Sequence, residues 1–302
     1  MADFDGPLIR GHVGGLVSES PAAGVRDDRV VTSTKVLSVF IAPFLIVAFV
    51  LLYAFPGETE RLFAWTIKPT MTPMVLASAY LGGFYFFCRV PFERRWAAVK
   101  TGFLSVALFA ALLGVATILH WEKFNHRHIA FWLWAGLYFV APFLVVAAWL
   151  NNRRFAAPPR AEERRLSRPA RWVIGVVGVL ALVTGLVMFV APEQMIAVWP
   201  WFLTALTCRV MGAIFCLGSA GIFVMSDPRW INVKLMLQVE LIMLVLILVA
   251  VVRARGEFFT DRPLTWIMLI GFIAVTIGSA VLLLSEWRVD RLARRTPAGP
   301  AG

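Results

Sequence analysis

Eight long apolar stretches dominate this chain, at approximately 36–55, 73–90, 102–119, 129–150, 172–191, 202–225, 235–252 and 264–285. Crossing the ~30 Å hydrocarbon layer of a bilayer takes about 20 mostly apolar residues in a helix. A backbone in lipid must satisfy its own hydrogen bonds, and these runs are far longer than barrel strands. The fold class is therefore all-α, a polytopic membrane protein with eight transmembrane helices. Composition agrees: 60% of the 302 residues are hydrophobic and only 16% charged, which excludes a soluble core.

The chain also repeats itself. At a constant offset of 134, Trp65 falls on Trp199, Thr70 on Thr204, Ala79 on Ala213, Trp96 on Trp230, Lys100 on Lys234, Phe124 on Phe258, Trp132 on Trp266 and Arg154 on Arg288. Of the 91 positions from 64 to 154, 15 are identical, three of them Trp–Trp matches that shared apolar composition rarely produces. Upstream, 35–56 matches 171–192 at an offset of 136. The expected organisation is a disordered cytosolic arm over 1–34, a four-helix repeat over 35–155, a basic linker over 156–170, a second four-helix repeat over 171–289 and a tail over 290–302. Four helices per copy is an even number, so the two copies share one orientation, related by an axis along the membrane normal.

Basic residues near helix ends remain on the cytoplasmic side. The segments on the side of the N-terminus carry 21 of the 29 Lys and Arg, the opposite loops carry 7, and Arg209 lies within the sixth stretch. Both termini are expected in the cytoplasm. Residues 1–34 have no apolar core of a cleavable signal, so the first helix acts as the membrane anchor. The linker holds Pro158, Pro159 and Pro169 among its arginines. With the end of the fourth helix it offers Arg153, Arg154, Arg160, Arg164, Arg165 and Arg168 to the membrane surface. Setting topology is one role for them; binding anionic lipid, at ~1 kcal/mol per basic residue, or an acidic partner is another. Net charge +11 placed this way points to a membrane and not to nucleic acid.

Cys88, Cys208 and Cys216 all fall inside helices and read as packing residues. Trp65, Trp96, Trp121, Trp149, Trp172, Trp199, Trp201, Trp230 and Trp287 fall at or near helix ends, where headgroup anchoring is the simplest role. Ser78 and Gly82, and likewise Gly212, Cys216 and Ala220, repeat small residues every four positions, as closely approaching helices require. They suggest a contact between helices two and six at the centre of the molecule.

An ionisable side chain in mid-membrane costs ~2.5–3.5 kcal/mol or more, so its presence signals a task. Glu240 in helix seven and Arg209 in helix six qualify, and the repeat places Val106 and Val75 at their positions in the first copy. With Thr204, Thr207 and Gln238 they form the candidate binding set for a substrate or ion. At 1.5 Å rise per residue, Glu240 lies ~10 Å and Arg209 ~25 Å from the cytoplasmic ends of their helices, which argues against a direct pair. The alternatives are structural charges satisfied by hydroxyls or backbone, or an Arg that reaches outward.

His120, His126 and His128 cluster in one outer loop, where they offer a zinc-ligand set or simply a hydrated loop. The helices contain no histidines to hold haem, and no Walker loop or intramembrane protease pair occurs; no cofactor is expected and a conventional enzyme is disfavoured. Pro43 and Pro142 sit in Ala-Pro-Phe triplets of the first copy and invite bends. The segment Trp199-Pro200-Trp201-Phe202-Leu203-Thr204-Ala205-Leu206-Thr207-Cys208-Arg209-Val210-Met211-Gly212 resembles a stretch of a bacterial multi-pass membrane protein family that carries no assigned activity. The resemblance implies the bacterial inner membrane and marks Trp199, Thr204, Thr207, Arg209 and Gly212 as part of the pattern. Two functions follow as expectations: a transporter or channel for a small polar or ionic solute, or a noncatalytic subunit or scaffold, alone as a homo-oligomer or with a membrane partner.

Overall fold

The computed structural model describes residues 27–158 and 163–295, with side chains described up to residue 288. Among the described residues, eight helices are long and apolar enough to cross a membrane: α1 (Thr32–Ala54), α2 (Met71–Phe92), α3 (Lys100–Leu119), α4 (Ile129–Arg153), α5 (Arg168–Val190), α6 (Ala205–Ser226), α7 (Trp230–Arg253) and α8 (Pro263–Arg295). Among the described residues no strand forms, only three isolated bridges. The protein is an all-α integral membrane protein. The arm expected over 1–34 lies outside the described residues as far as residue 26, as do Arg160 in the linker and residues 296–302 of the tail.

Odd- and even-numbered loops define two ends of the bundle. The basic end holds residues 27–31, the turns 93–99 and 227–229 and the linker; the far end holds the short helices Thr59–Leu62 and Pro192–Val198 and the loops 120–128 and 254–262. Within each half the first two helices pack together and the last two pack together, α1 on α2, α3 on α4, α5 on α6 and α7 on α8. The second helix of each half then packs on the third helix of the other, α2 on α7 and α6 on α3. The large apolar core spans both sets of four, and a smaller cluster of Leu166, Val224, Trp230, Val233 and Leu237 lies at the basic end of the second.

Matching contacts recur at the offsets that align the sequence. At the basic end the Trp96 amide donates to the Asp28 carbonyl and the Trp230 amide to the Arg164 carbonyl. Bridges join Arg29 to Arg95 and Arg165 to Arg229. At the far end the Trp132 indole donates to the His126 carbonyl and the Trp266 indole to the Thr260 carbonyl, both at 3.0 Å. Between the halves, the Tyr85 hydroxyl donates to Gln238 Oε1 and the Ser219 hydroxyl to Ser105.

The tryptophans divide differently from the anchoring role read from their positions. Trp65, Trp96, Trp199, Trp201 and Trp230 are buried inside the bundle, while Trp121, Trp132, Trp172, Trp266 and Trp287 face outward. The aligned pairs Trp65/Trp199 and Trp96/Trp230 are plugs near the helix ends, and Trp65 stacks edge-on against Phe124 and Trp134. The small residues also serve other contacts than the expected one. A Cβ on Gly82 would meet Met243 of α7 at 2.7 Å, and one on Gly212 would meet the Gly185 carbonyl of α5 at 2.6 Å. Gly178, Gly218 and Gly221 extend that α5–α6 seam toward the basic end, backbone against backbone. Four-residue spacing reports that a helix approaches another closely; it does not say which one.

Helix α8 is the outermost, with 11% of its apolar window buried against 39% for its counterpart α4. Three replacements accompany the difference. In the first half Gly114 lets the Tyr138 carbonyl come so near that a Cβ would sit 2.8 Å from it, and the Tyr138 hydroxyl donates to that of Tyr80 at 2.9 Å. The second half has Leu248, Phe272 and Ile214 at these positions. Leu248 carries a side chain where Gly114 has none, and neither Phe272 nor Ile214 has a hydroxyl to pair.

Candidate functional site

Glu240 lies ten residues beyond Trp230 on α7, ~15 Å along the helix and so near the middle of a ~30 Å hydrocarbon layer. It is half-buried, and its Oε2 accepts a hydrogen bond from the Ser279 hydroxyl of α8 at 3.2 Å. Among the described residues no cation lies within ion-pair distance of it. The aligned positions in the first half are Val106 and Val145, the latter 1% exposed. Where the first half carries two valines, the second carries a carboxyl–hydroxyl contact between α7 and the sparsely buried α8.

Arg209 lies elsewhere. Thr204 caps α6: its hydroxyl accepts from the Thr207 amide, and the Thr207 hydroxyl accepts from the Thr204 amide. Arg209 follows one turn later, at the far end, and its Nη1 lies 2.7 Å from His120 Nε2 at the end of α3. Burial first, then the guanidinium charge, lowers the pKa of His120, so the imidazole is neutral and accepts through Nε2. Arg209 Nε is buried without a hydrogen-bond partner. The guanidinium therefore has an acceptor but, among the described residues, no counter-charge.

The five residues grouped by sequence are accordingly three separate constructions. Thr204 and Thr207 cap a helix, with Arg209 reaching His120 beside them; Gln238 accepts from Tyr85; Glu240 holds Ser279. The three histidines also part company. His120 serves Arg209, His126 stacks between Trp121 and Phe131, and His128 Nδ1 accepts the Ala130 amide at the start of α4. Among the described residues no group of three His, Cys, Asp or Glu side chains gathers as a metal site. Short spacing brings imidazoles near in sequence, but stacking and capping turn them apart.

Among the described residues, the largest ionic constellation is one that the sequence does not single out. At the basic end, Arg95 binds Asp28 Oδ2 at 2.8 Å and Glu163 Oε1 at 2.5 Å. Arg229 binds Glu163 Oε2 at 2.7 Å and grips Asp227 through Nε and Nη2, both at 2.7 Å. Lys100 completes the set on Asp227 at 2.5 Å. Arg95 and Arg229 occupy aligned positions, so the single carboxylate of Glu163 bridges equivalent arginines from both halves. Burial alone would raise the pKa values of Asp227 and Glu163, but hydrogen bonds from Arg229, Lys100 and Arg95 override it and hold both below the usual carboxylate range. The signal available was the identity of Arg95 and Arg229 under the offset; nothing local ties Glu163 to either.

The surface arginines divide as well. Arg153, Arg154, Arg165 and Arg168 are exposed, whereas Arg164 pairs with Glu286. At the far end, the Glu257 carboxylate accepts from the Thr70 amide, the Thr70 hydroxyl and the Met71 amide, so the loop after α7 caps α2 across the halves. Comparisons with protein-family models, with curated proteins and with solved structures returned no match.

Proposed function

We propose that the protein is a duplicated eight-span transporter or channel for a small polar or ionic solute, with two parallel halves, both termini in the cytoplasm and a site in the second half. The bacterial inner membrane is the location that the resemblance of segment 199–212 favours. Glu240 is the carboxyl that binds the ion or polar group, Ser279 its hydroxyl partner, and Arg209 with His120 the polar rim through which the solute passes at the far end. One observation carries this reading: Glu240 and Ser279 occupy the positions of Val106 and Val145. A carboxyl in mid-membrane costs ~2.5–3.5 kcal/mol or more, and the aligned positions of the first half do without one, carrying valines instead.

Uptake by proteoliposomes, screened over small cations, anions and neutral polar solutes with and without a proton gradient, tests it. Glu240→Gln keeps the shape and the hydrogen bond with Ser279 but removes the charge. Loss of flux with unchanged thermal stability supports the role; unchanged flux in a variant of a protein that transports ends it.

A second reading, a noncatalytic subunit whose basic surface meets an acidic partner or anionic lipid, is favoured by the exposure of Arg153, Arg154, Arg165 and Arg168. Neutralising these four releases a copurifying partner if this reading holds; an unchanged complex ends it.

A further inference from the structure

We infer that the basic-end half of α6, Ser219–Ser226, is a gate that swings about the turn Cys216–Gly218 and is latched shut by Glu163 and Lys100. The inference deepens the transport reading by naming the part that moves.

Three independent features meet on this segment. First, α6 is not one continuous α-helix. Ala205–Phe215 and Ser219–Ser226 are α-helical, but Cys216–Gly218 between them is a 3₁₀ turn. A stretch of 3₁₀ in mid-helix commonly marks a hinge, because its hydrogen bonds are poorer and its pitch differs. The aligned helix α2 runs as unbroken α-helix over Met71–Arg89, so the hinge belongs to the second half, as Glu240 and Arg209 do.

Second, the first turn of the segment meets α5 through small residues, while at its end the Met225 side chain seats against Gly175 and the Arg171 guanidinium of α5 donates to the Met225 carbonyl. Gly218 and Gly221 face Ala181, Gly178 and the Ile174 carbonyl, and a Cβ at either would come within 2.7 Å of them. From Gly218 to Gly221 this is a close seam of small residues, and Met225 on Gly175 is the knob that leaves its hole when the segment moves. Toward α3 it makes a single hydroxyl contact, Ser219 to Ser105 at 2.9 Å.

Third, the basic end of the segment is where the ionic constellation takes hold. Ser226 runs directly into Asp227 and Arg229, which Lys100 of α3 and Glu163 of the linker bind. Glu163 also binds Arg95 of the first half, so it ties the end of the gate to the opposite half. Hinge, sliding face and latch thus lie in sequence along one element, with a buried serine pair beneath it.

The experiment introduces Ser105→Cys, a position 2% exposed under the segment, and measures its rate of modification by a membrane-impermeant maleimide applied to each side of proteoliposomes, with the modified cysteine located by mass spectrometry. Glu163→Gln unfastens one side of the latch and Lys100→Gln the other. Each is expected to accelerate labelling at position 105 about tenfold or more from the basic end, the change that ~1.4 kcal/mol of lost closure free energy produces. Cys208, fully buried on the other side of the turn, stays protected if only the gate opens. Unchanged labelling at 105 in both variants overturns the inference, and so does equal acceleration at 105 and Cys208, which reports general loosening. The assay needs no solute, so its failure is distinct from failure of the transport reading.

Discussion

Replacing Arg229 isolates the energetic weight of the ionic cap. Its side chain is 4% exposed and makes three charge-assisted hydrogen bonds of 2.7 Å, two to Asp227 and one to Glu163. Breaking a buried ion pair by removing one partner costs about 3–5 kcal/mol, because the remaining charge is left uncompensated. Here both carboxylates retain a partner, Lys100 for Asp227 and Arg95 for Glu163, which places Arg229→Ala near the lower limit, at about 3 kcal/mol. Arg229→Lys keeps the charge but loses the planar fork and cannot reach both carboxylates, so it recovers less than half of the loss. Denaturant titration in mixed micelles, followed by tryptophan fluorescence, measures these differences. Their pH dependence has a definite sign. Asp227 and Glu163 have folded pKa values below their ordinary 3.8 and 4.5, so their contribution is complete above those values and is lost as pH falls through the depressed folded ones. The gap between wild type and Arg229→Ala is therefore constant near about pH 7 and shrinks below about pH 4. A gap under about 1 kcal/mol at neutral pH, or one that does not narrow in acid, refutes the reasoning.

Gly185→Ala drives a methyl toward the Gly212 carbonyl, at 2.5 Å, and is expected to destabilise by about 2–3 kcal/mol, whereas Gly271→Ala on α8 meets nothing within 4 Å and stabilises by up to about 1 kcal/mol, both read as denaturant midpoints. Glu257→Ala removes three hydrogen bonds from the start of α2 and costs about 2 kcal/mol, while Glu257→Gln, which keeps a carbonyl acceptor, costs about half as much. His120→Ala leaves the Arg209 guanidinium without its acceptor and costs about 1–3 kcal/mol at neutral pH. Because the folded pKa of His120 is depressed, the neutral imidazole contributes above the ordinary 6.5 and loses that contribution as pH falls through the lower value, which a stability profile of wild type against His120→Ala reveals.

Eight helices, their approximate limits and the presence of rare intramembrane charges are legible in the sequence because each is a local property. Hydrophobic length states that a segment crosses, and an isolated Glu240 or Arg209 stands out against its neighbours by transfer cost alone. Partners are not local. The sequence grouped Glu240, Arg209, Thr204, Thr207 and Gln238 because they share two adjacent helices, but helical rotation sends Gln238 to Tyr85, Glu240 to Ser279 and Arg209 to His120, residues 153, 39 and 89 positions away. The same limit hid the ionic cap, whose members come from five separate segments. Only tertiary packing decided that α2 and α6 each lean on the opposite half, that the recurring tryptophan pairs plug the bundle, and that α8 lies at the edge with Ser279 on Glu240. Hydrophobicity fixes how deep a residue lies in a membrane; which residue faces it depends on the rotation and approach of helices, and these are settled by steric fit between distant parts of the chain.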